Sequence, residues 1–194
     1  MGFLPRTMGM RPRLACEMRA EGVVAARAED ANATLSAVER VVFSNGTASA
    51  NGAGRGEKVA ALKRVLDEVG QRGRVVTLVV PDAAVRVLLV DFDELPSKQA
   101  EALPVVRFRL KKLLPFDADD AAVSYQVMAQ GRGGTQVLAV AMPRESLREY
   151  EAMVREAGYE AGAVLPSTLA MLAGLEESER PSLLVNAGSE TVTT

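Results

Sequence analysis

The chain has 194 residues, 48% hydrophobic and 25% charged, enough to bury a sizeable core in one large or two small domains. Lysine plus arginine (23) nearly balances aspartate plus glutamate (25), and the net charge of -2 argues against broad nucleic-acid binding while leaving room for a local basic patch. The single cysteine, Cys16, cannot form an internal disulfide, and without histidine the usual zinc sets lack ligands, so a reducing cytoplasm fits best. No segment approaches the ~18 apolar residues of a membrane span. The opening MGFLPRTMGMRPR lacks the apolar run of a secretory signal, and Arg6 stands where a myristoylation motif needs Ser or Thr, so residues 1–9 read as a flexible lead-in.

Two short strands, 14–18 and 22–28, are joined by Arg19-Ala20-Glu21-Gly22, whose glycine can take the positive φ of a tight turn. Residues 37–43 predict a third strand. The Gly/Ala/Asn tract over 45–56 is too small-sided to bury anything and reads as a mobile loop. An amphipathic helix follows over 57–69, with Val59, Leu62, Leu66 and Val69 on one stripe, an acid near its start and Gly70 at C′. The β-branched run 75–80 has the continuous apolar character of a strand buried on both faces.

Alternation of Val85, Val87 and Leu89 with Arg86, Leu88 and Val90 predicts another strand, which leads through Leu95-Pro96 into a basic amphipathic helix. Its apolar stripe is Leu103, Val106, Leu110, Leu113 and Leu114. Pro104 inside a continuous helix would cost roughly 3 kcal/mol, so the helix either kinks there or begins afresh with Pro104 at N1, the favoured reading. Arg107, Arg109, Lys111 and Lys112 could meet anionic lipid or nucleic acid, but a solvated helix face is preferred. Phe108 falls off the stripe and covers either a neighbouring strand or a partner. Leu114-Pro115-Phe116 then hands over to strands at 122–129 and 135–142, whose connector Gln130-Gly131-Arg132-Gly133-Gly134 signals a hairpin. A helix over 143–157 turns Leu147, Tyr150, Val154 and Ala157 inward and stops at Gly158. A strand over 160–165, a helix over 166–175 with Leu169 and Leu172 inward, and a last strand over 182–185 running into Asn186-Ala187-Gly188 complete the series.

Catalytic signatures are scarce. Without histidine, Ser-His-Asp and Cys-His arrangements are excluded. Gly52, Gly54 and Gly56 do not make a phosphate loop, because Gly56-Glu57-Lys58 puts an acid where Gly-Lys-Ser/Thr is needed. The acidic clusters Asp91, Asp93, Glu94 and Asp117, Asp119, Asp120 lack the glycine and closing glutamate of a calcium loop and read as solvated turns.

The stretch from Val79 to Met128 resembles the small inserted subdomain of the actin-like type IV pilus assembly protein family PilM. The likeness rests on Leu95-Pro96 before a long helix, Pro115-Phe116 after it, and a strand carrying the Tyr125-Gln126 pair. It implies an α/β fold of the actin-like, ribonuclease-H-like kind, first lobe only. Subdomain 1A would comprise 10–80 and 159–194, an inserted small α+β subdomain 1C would span 81–158, and a second lobe would follow Thr194.

The resemblance also implies two phosphate-binding hairpins, and both are altered in this chain. Where the family reads Asp, an apolar residue and then Gly-Ser-Ser, this chain has Glu17-Met18-Arg19-Ala20-Glu21, so that Arg19 occupies the glycine position. The second hairpin reads Asn186-Ala187-Gly188, keeping Gly188 but losing the carboxylate. ATP hydrolysis is therefore not expected, and no cofactor is assigned to this chain, although ATP with magnesium is possible in the full-length family. The implied function is a scaffold on the cytoplasmic face of the bacterial inner membrane that binds the N-terminal cytoplasmic peptide of PilN. That peptide would lie in a groove between the subdomains, near the crossing residues Val80, Pro81, Leu165, Pro166 and Ser167. Self-association and other pilus platform partners are possible, and nucleic acid is not expected. The rivals are the cytoplasmic scaffold domain of a type II secretion platform protein, and a sugar-kinase-like or chaperone-like ATPase, which would need the intact Asp and Gly.

Overall fold

The computed structural model describes residues 12–29, 35–43, 53–70, 73–131, 133–175, 181–188 and 192–194. The lead-in expected over 1–9 and most of the glycine-rich loop expected over 45–56 lie outside these described residues. The chain divides into two compact units, one built from Ala83–Arg148 and the other from the flanking segments, which end at Asp82 and resume at Glu149. The larger unit begins with β1 (Leu14–Met18), β2 (Gly22–Ala28), β3 (Leu35–Val42), α1 (Arg55–Val69) and β4 (Val75–Val80). The smaller contains β5 (Arg86–Phe92), α2 (Gln99–Leu110), β6 (Ala121–Gly131) and β7 (Gly134–Pro143). Helix α3 (Arg144–Glu156) carries the chain on to β8 (Glu160–Pro166), α4 (Ser167–Leu172), β9 (Asn186–Ala187) and β10 (Val192–Thr193).

In the larger unit the strand order is β3-β2-β1-β4-β8. The first three strands pair antiparallel, whereas β1, β4 and β8 run parallel, so these three present their carboxyl ends at one edge. The apolar run Val75–Val80 forms the strand flanked on both sides, as its sequence demands. Leu62, Val65, Leu66 and Val69 recur at helical spacing on α1 and are almost wholly buried, in a core with Leu14, Met18, Val23, Val76 and Leu78. Each such side chain contributes about 1.5–3 kcal/mol through burial. Cys16 sits in the same core, and burial pushes its thiol pKa up to about 12, which leaves it a neutral small hydrophobe.

At the end of α1 the Asp67 carboxylate accepts hydrogen bonds from Lys63 Nζ (2.6 Å), the Tyr159 hydroxyl (3.0 Å) and Arg74 Nη1 (3.1 Å). These donors, Lys63 foremost, pull its pKa down to about 2. The Arg74 guanidinium also lies 4.7 Å over the Tyr159 ring.

Several boundaries and reasons differ from expectation. Strand β3 begins at Leu35 because Leu35 pairs with Ala28 across an irregularity at Arg27/Ala28. Helix α1 begins at Arg55, with Gly54 as an extended N-cap whose carbonyl accepts from the Lys58 N–H at 3.1 Å. Neither Gly22 nor Gly70 has positive φ. Gly22 is required because a Cβ would come within 2.2 Å of the Val41 carbonyl oxygen, and Gly70 because one would come within 2.4 Å of the Leu66 carbonyl oxygen. Helix α4 is shorter than expected, with Pro166 as its N-cap, outside the helix proper. Residues 182–185 form no strand. The pairing starts at Asn186–Ala187, with Asn186 opposite Thr193 and Ala187 opposite Val192.

The smaller unit is an antiparallel sheet in the order β5-β7-β6, with α2 on one face. Leu88, Val90 and Phe92 of β5, with Val137, Ala139 and Ala141 of β7, pack against Val106 and Leu110 of α2. Helix α2 runs unbroken through Pro104, contrary to the reading of a fresh start there. Pro104 lies on the exposed side, where water can satisfy the carbonyl that its missing N–H leaves free. The buried stripe accordingly shifts to Ala102, Val106 and Leu110, and Leu113 is exposed.

Candidate functional site at the carboxyl edge of the parallel strands

Ligand sites in open α/β sheets collect where parallel strands end. In the larger unit that edge holds Glu17 of β1, Pro81 and Asp82 after β4, and Ser167 and Thr168 after β8. Asn186 of β9 joins them.

The side chains form one continuous network. The Ser167 hydroxyl donates to Glu17 Oε1 at 2.6 Å, and Arg19 Nη2 donates to Glu17 Oε2 at 2.6 Å. Asp82 Oδ1 accepts from the Thr168 backbone N–H at 3.0 Å, and Oδ2 accepts from the Thr168 hydroxyl at 2.6 Å and from Asn186 Nδ2 at 3.0 Å. Asn186 Nδ2 further lies 3.1 Å from Ser167 Oγ and 3.2 Å from Thr168 Oγ1, so its two hydrogens are shared among three acceptors. Hydrogen bonding to Glu17 pushes the Arg19 pKa up, keeping the guanidinium charged beside the carboxylate.

Asp82 also has a structural role. Pro166, the N-cap of α4, provides no side-chain cap, and Asp82 supplies one from the end of a different strand. No sequence pattern singles out Asp82 and Thr168. An acid straight after a buried strand, Val80-Pro81-Asp82, was the available signal.

The four residues expected at the altered phosphate hairpins are placed as follows. Glu17 and Asn186 enter the network, Arg19 closes it from the β1–β2 turn, where its N–H bonds the Gly22 carbonyl at 2.9 Å, and Gly188 is exposed after β9. Of the crossing residues, Leu165 pairs with Val79, and Val80 with Pro166. Val80 is fully buried, and Pro166 and Ser167 are buried too, so these three support the strand ends from within and offer no contact face. Pro81 and Leu165 are half-buried. A Ser167 substitution by a bulky residue would therefore disturb the core before it reached any ligand.

With no histidine in the chain, no hydroxyl in this network has an imidazole beside it, and both carboxylates are already engaged by protein donors. Among the described residues no group of three or more His, Cys, Asp and Glu is arranged to hold a metal ion. The basic helix is also partly spent on structure. Arg107 Nη1 donates to the carbonyls of Ala118 (2.5 Å) and Ala121 (2.8 Å), and Lys111 pairs with Asp119 at 2.6 Å. Its reading as a plain solvated face is corrected to that extent, and Phe108, 71% exposed, covers no strand.

A five-stranded mixed sheet of this order, interrupted after β4 by a separate α+β unit, is the first-lobe arrangement of the actin-like, ribonuclease-H-like fold. No protein-family model and no curated protein matches the chain in sequence. Among solved structures it is similar to a chain of the PilM-PilN type IV pilus biogenesis complex, with TM-score 0.69 and 20% identity over 83% of this chain and 50% of that one. It is also similar to the cytoplasmic domain of EpsL, an inner-membrane component of the type II secretion system of Vibrio cholerae, with TM-score 0.57 and 17% identity over 86% of this chain and 60% of that one. The chain thus spans half to three-fifths of the length of these structures, and at such identities the likeness is one of fold. No described helix is long and apolar enough to cross a membrane.

Proposed function

We propose that the chain is a non-catalytic, actin-like scaffold domain of a bacterial inner-membrane platform, acting on the cytoplasmic side in type IV pilus assembly and binding an extended peptide such as the N-terminal segment of PilN. The observation that carries this reading is the closed network at the strand edge. An actin-like ATPase needs open backbone N–H groups and a free carboxylate there to hold phosphate and metal. Here Arg19 is folded onto Glu17, and Asn186 stands in place of the acid and bonds Asp82. A sugar-kinase-like or chaperone-like ATPase is disfavoured on the same ground. The two platform-protein likenesses support the choice of scaffold, and the higher TM-score favours the pilus over the type II secretion alternative.

Peptide contact is assigned to the half-buried Pro81 and Leu165, with Val80, Pro166 and Ser167 holding them in place. Calorimetric titration with Mg-ATP should give no turnover and at most weak binding. Fluorescence polarisation with a labelled peptide copying the first dozen or so residues of the cognate PilN should show binding, reduced at least about tenfold by Leu165→Asp. Micromolar, magnesium-dependent ATP affinity, or peptide binding indifferent to Leu165→Asp, would overturn the reading.

A further inference from the structure

The smaller unit carries two exposed surfaces that the peptide reading does not use, and they lie on opposite sides of one sheet. On the outer face of α2, Phe108 is 71% exposed, with Val105 at 38% and Leu113 just beyond the helix at 49%. Arg109 and Lys112 accompany them, and neither has an ion pair or side-chain hydrogen bond among the described residues, whereas Arg107 and Lys111 are both engaged. Helical spacing puts Val105, Phe108 and Arg109 on one face, and Lys112 follows in the turn that ends the helix.

The other surface comes from the alternation along the strands. Val90, Val137 and Ala139 point to α2, so Val87 and Leu89 of β5 and Leu138 and Val140 of β7, their register partners, point away from it. Leu89 is 58% and Val87 39% exposed. The same face bears Asp91, held by Gln136 at 3.1 Å, two residues along from Leu89, and the exposed acids Asp93 and Glu94 follow the strand. One surface is therefore apolar and basic, and the other apolar and acidic.

We infer that these two surfaces dock on each other between copies of this chain, the Phe108 face of one copy on the Leu89 face of the next. An exposed aromatic with an adjacent arginine is the composition of an interface centre, and the apolar pair Val87 and Leu89 gives it a surface to cover. Arg109 and Lys112 then meet Asp91 and its neighbours, which sets register and orientation. Because the surfaces differ and sit on opposite faces, the contact is head-to-tail. A pair of copies keeps one free surface of each kind, so growth passes beyond the dimer, to a ring if the rotation between copies closes and to an open chain if it does not.

Sedimentation velocity of the full chain across a concentration series should show a progressive series of oligomers that weakens as salt is raised. Arg109→Glu with Lys112→Glu, which makes both surfaces acidic, should lower association at least about tenfold, as should Asp91→Lys with Asp93→Lys and Glu94→Lys, which makes both basic. Mixing these two variants should restore assembly, since each then offers what the other lacks. Phe108→Ser should abolish assembly without loss of far-ultraviolet circular dichroism. A wild-type chain that stays monomeric, a closed dimer indifferent to all these changes, or no recovery on mixing would overturn the inference. So would a monomeric chain that binds anionic vesicles through Arg109 and Lys112, because the occupant of the basic face would then be a membrane.

Discussion

Replacing Asp82 by alanine removes three acceptor contacts at once: the Thr168 N–H at 3.0 Å, the Thr168 hydroxyl at 2.6 Å and Asn186 Nδ2 at 3.0 Å. Loss of a helix cap costs about 1 kcal/mol, and here Pro166 provides no substitute. Each remaining bond to a carboxylate adds on the order of 1 kcal/mol, reduced because the site is only partly buried and water can enter. The expected destabilisation is about 2 kcal/mol, or a fall in melting temperature of about 4–8 °C for a chain of this size. Asp82→Asn keeps an acceptor for the cap and should lose about half as much. Urea denaturation followed by circular dichroism measures the global effect, and hydrogen exchange at the Thr168 amide reads the cap itself. A change under about 0.5 kcal/mol with undiminished Thr168 protection would show that the network adds nothing to the fold.

Gly70→Ala should destabilise by about 2 kcal/mol or more because its Cβ would sit 2.4 Å from a backbone oxygen, although φ there is an ordinary -73°. Gly158→Ala, with open space but φ of 88°, should cost only about 1 kcal/mol; denaturation of the two variants in parallel gives the order, and the reverse order refutes it. Pro104→Ala should stabilise the chain by roughly 1–3 kcal/mol in thermal melts, because it restores a bond on an exposed helix face without disturbing Val106 or Leu110. The Asp67 carboxyl is held at about 2 against an ordinary 3.8, so its contribution is complete above the ordinary value and is lost as pH falls through about 2. Solvent exposure keeps that contribution under about 1 kcal/mol, and Tyr159→Phe should raise the Asp67 pKa in an NMR titration.

Strands with strong alternation or continuous β-branched runs were readable because one residue pattern suits only one environment. Strands β1 and β2 fall at the expected residues, and the run at 75–80 forms the strand between β1 and β8. Reading failed where the outcome depended on partners distant in sequence. Residues 182–185 are as apolar as a strand, yet the ladder begins at Asn186, where Thr193 stands opposite. Pro104 reads as a kink or a fresh start because propensity is local, but the surrounding helix is held by Val106 and Leu110 against the sheet. At the edge network, Glu17, Arg19 and Asn186 are reached through resemblance, and Ser167 through its place where the chain crosses between the expected subdomains. Asp82 and Thr168 escaped because their meeting spans 86 positions and leaves no periodic trace.

The cap of α4 also bears on the order in which the chain can fold. A six-residue helix with no local cap cannot persist alone in water. Its stabilising carboxylate arrives from 86 residues upstream, after the whole smaller unit has been threaded through. Helix α4 should therefore be a late acquisition that forms only once β4 and β8 lie side by side. The Thr168 amide would then act as a reporter, protected only in molecules whose two separated halves of the larger unit have already closed.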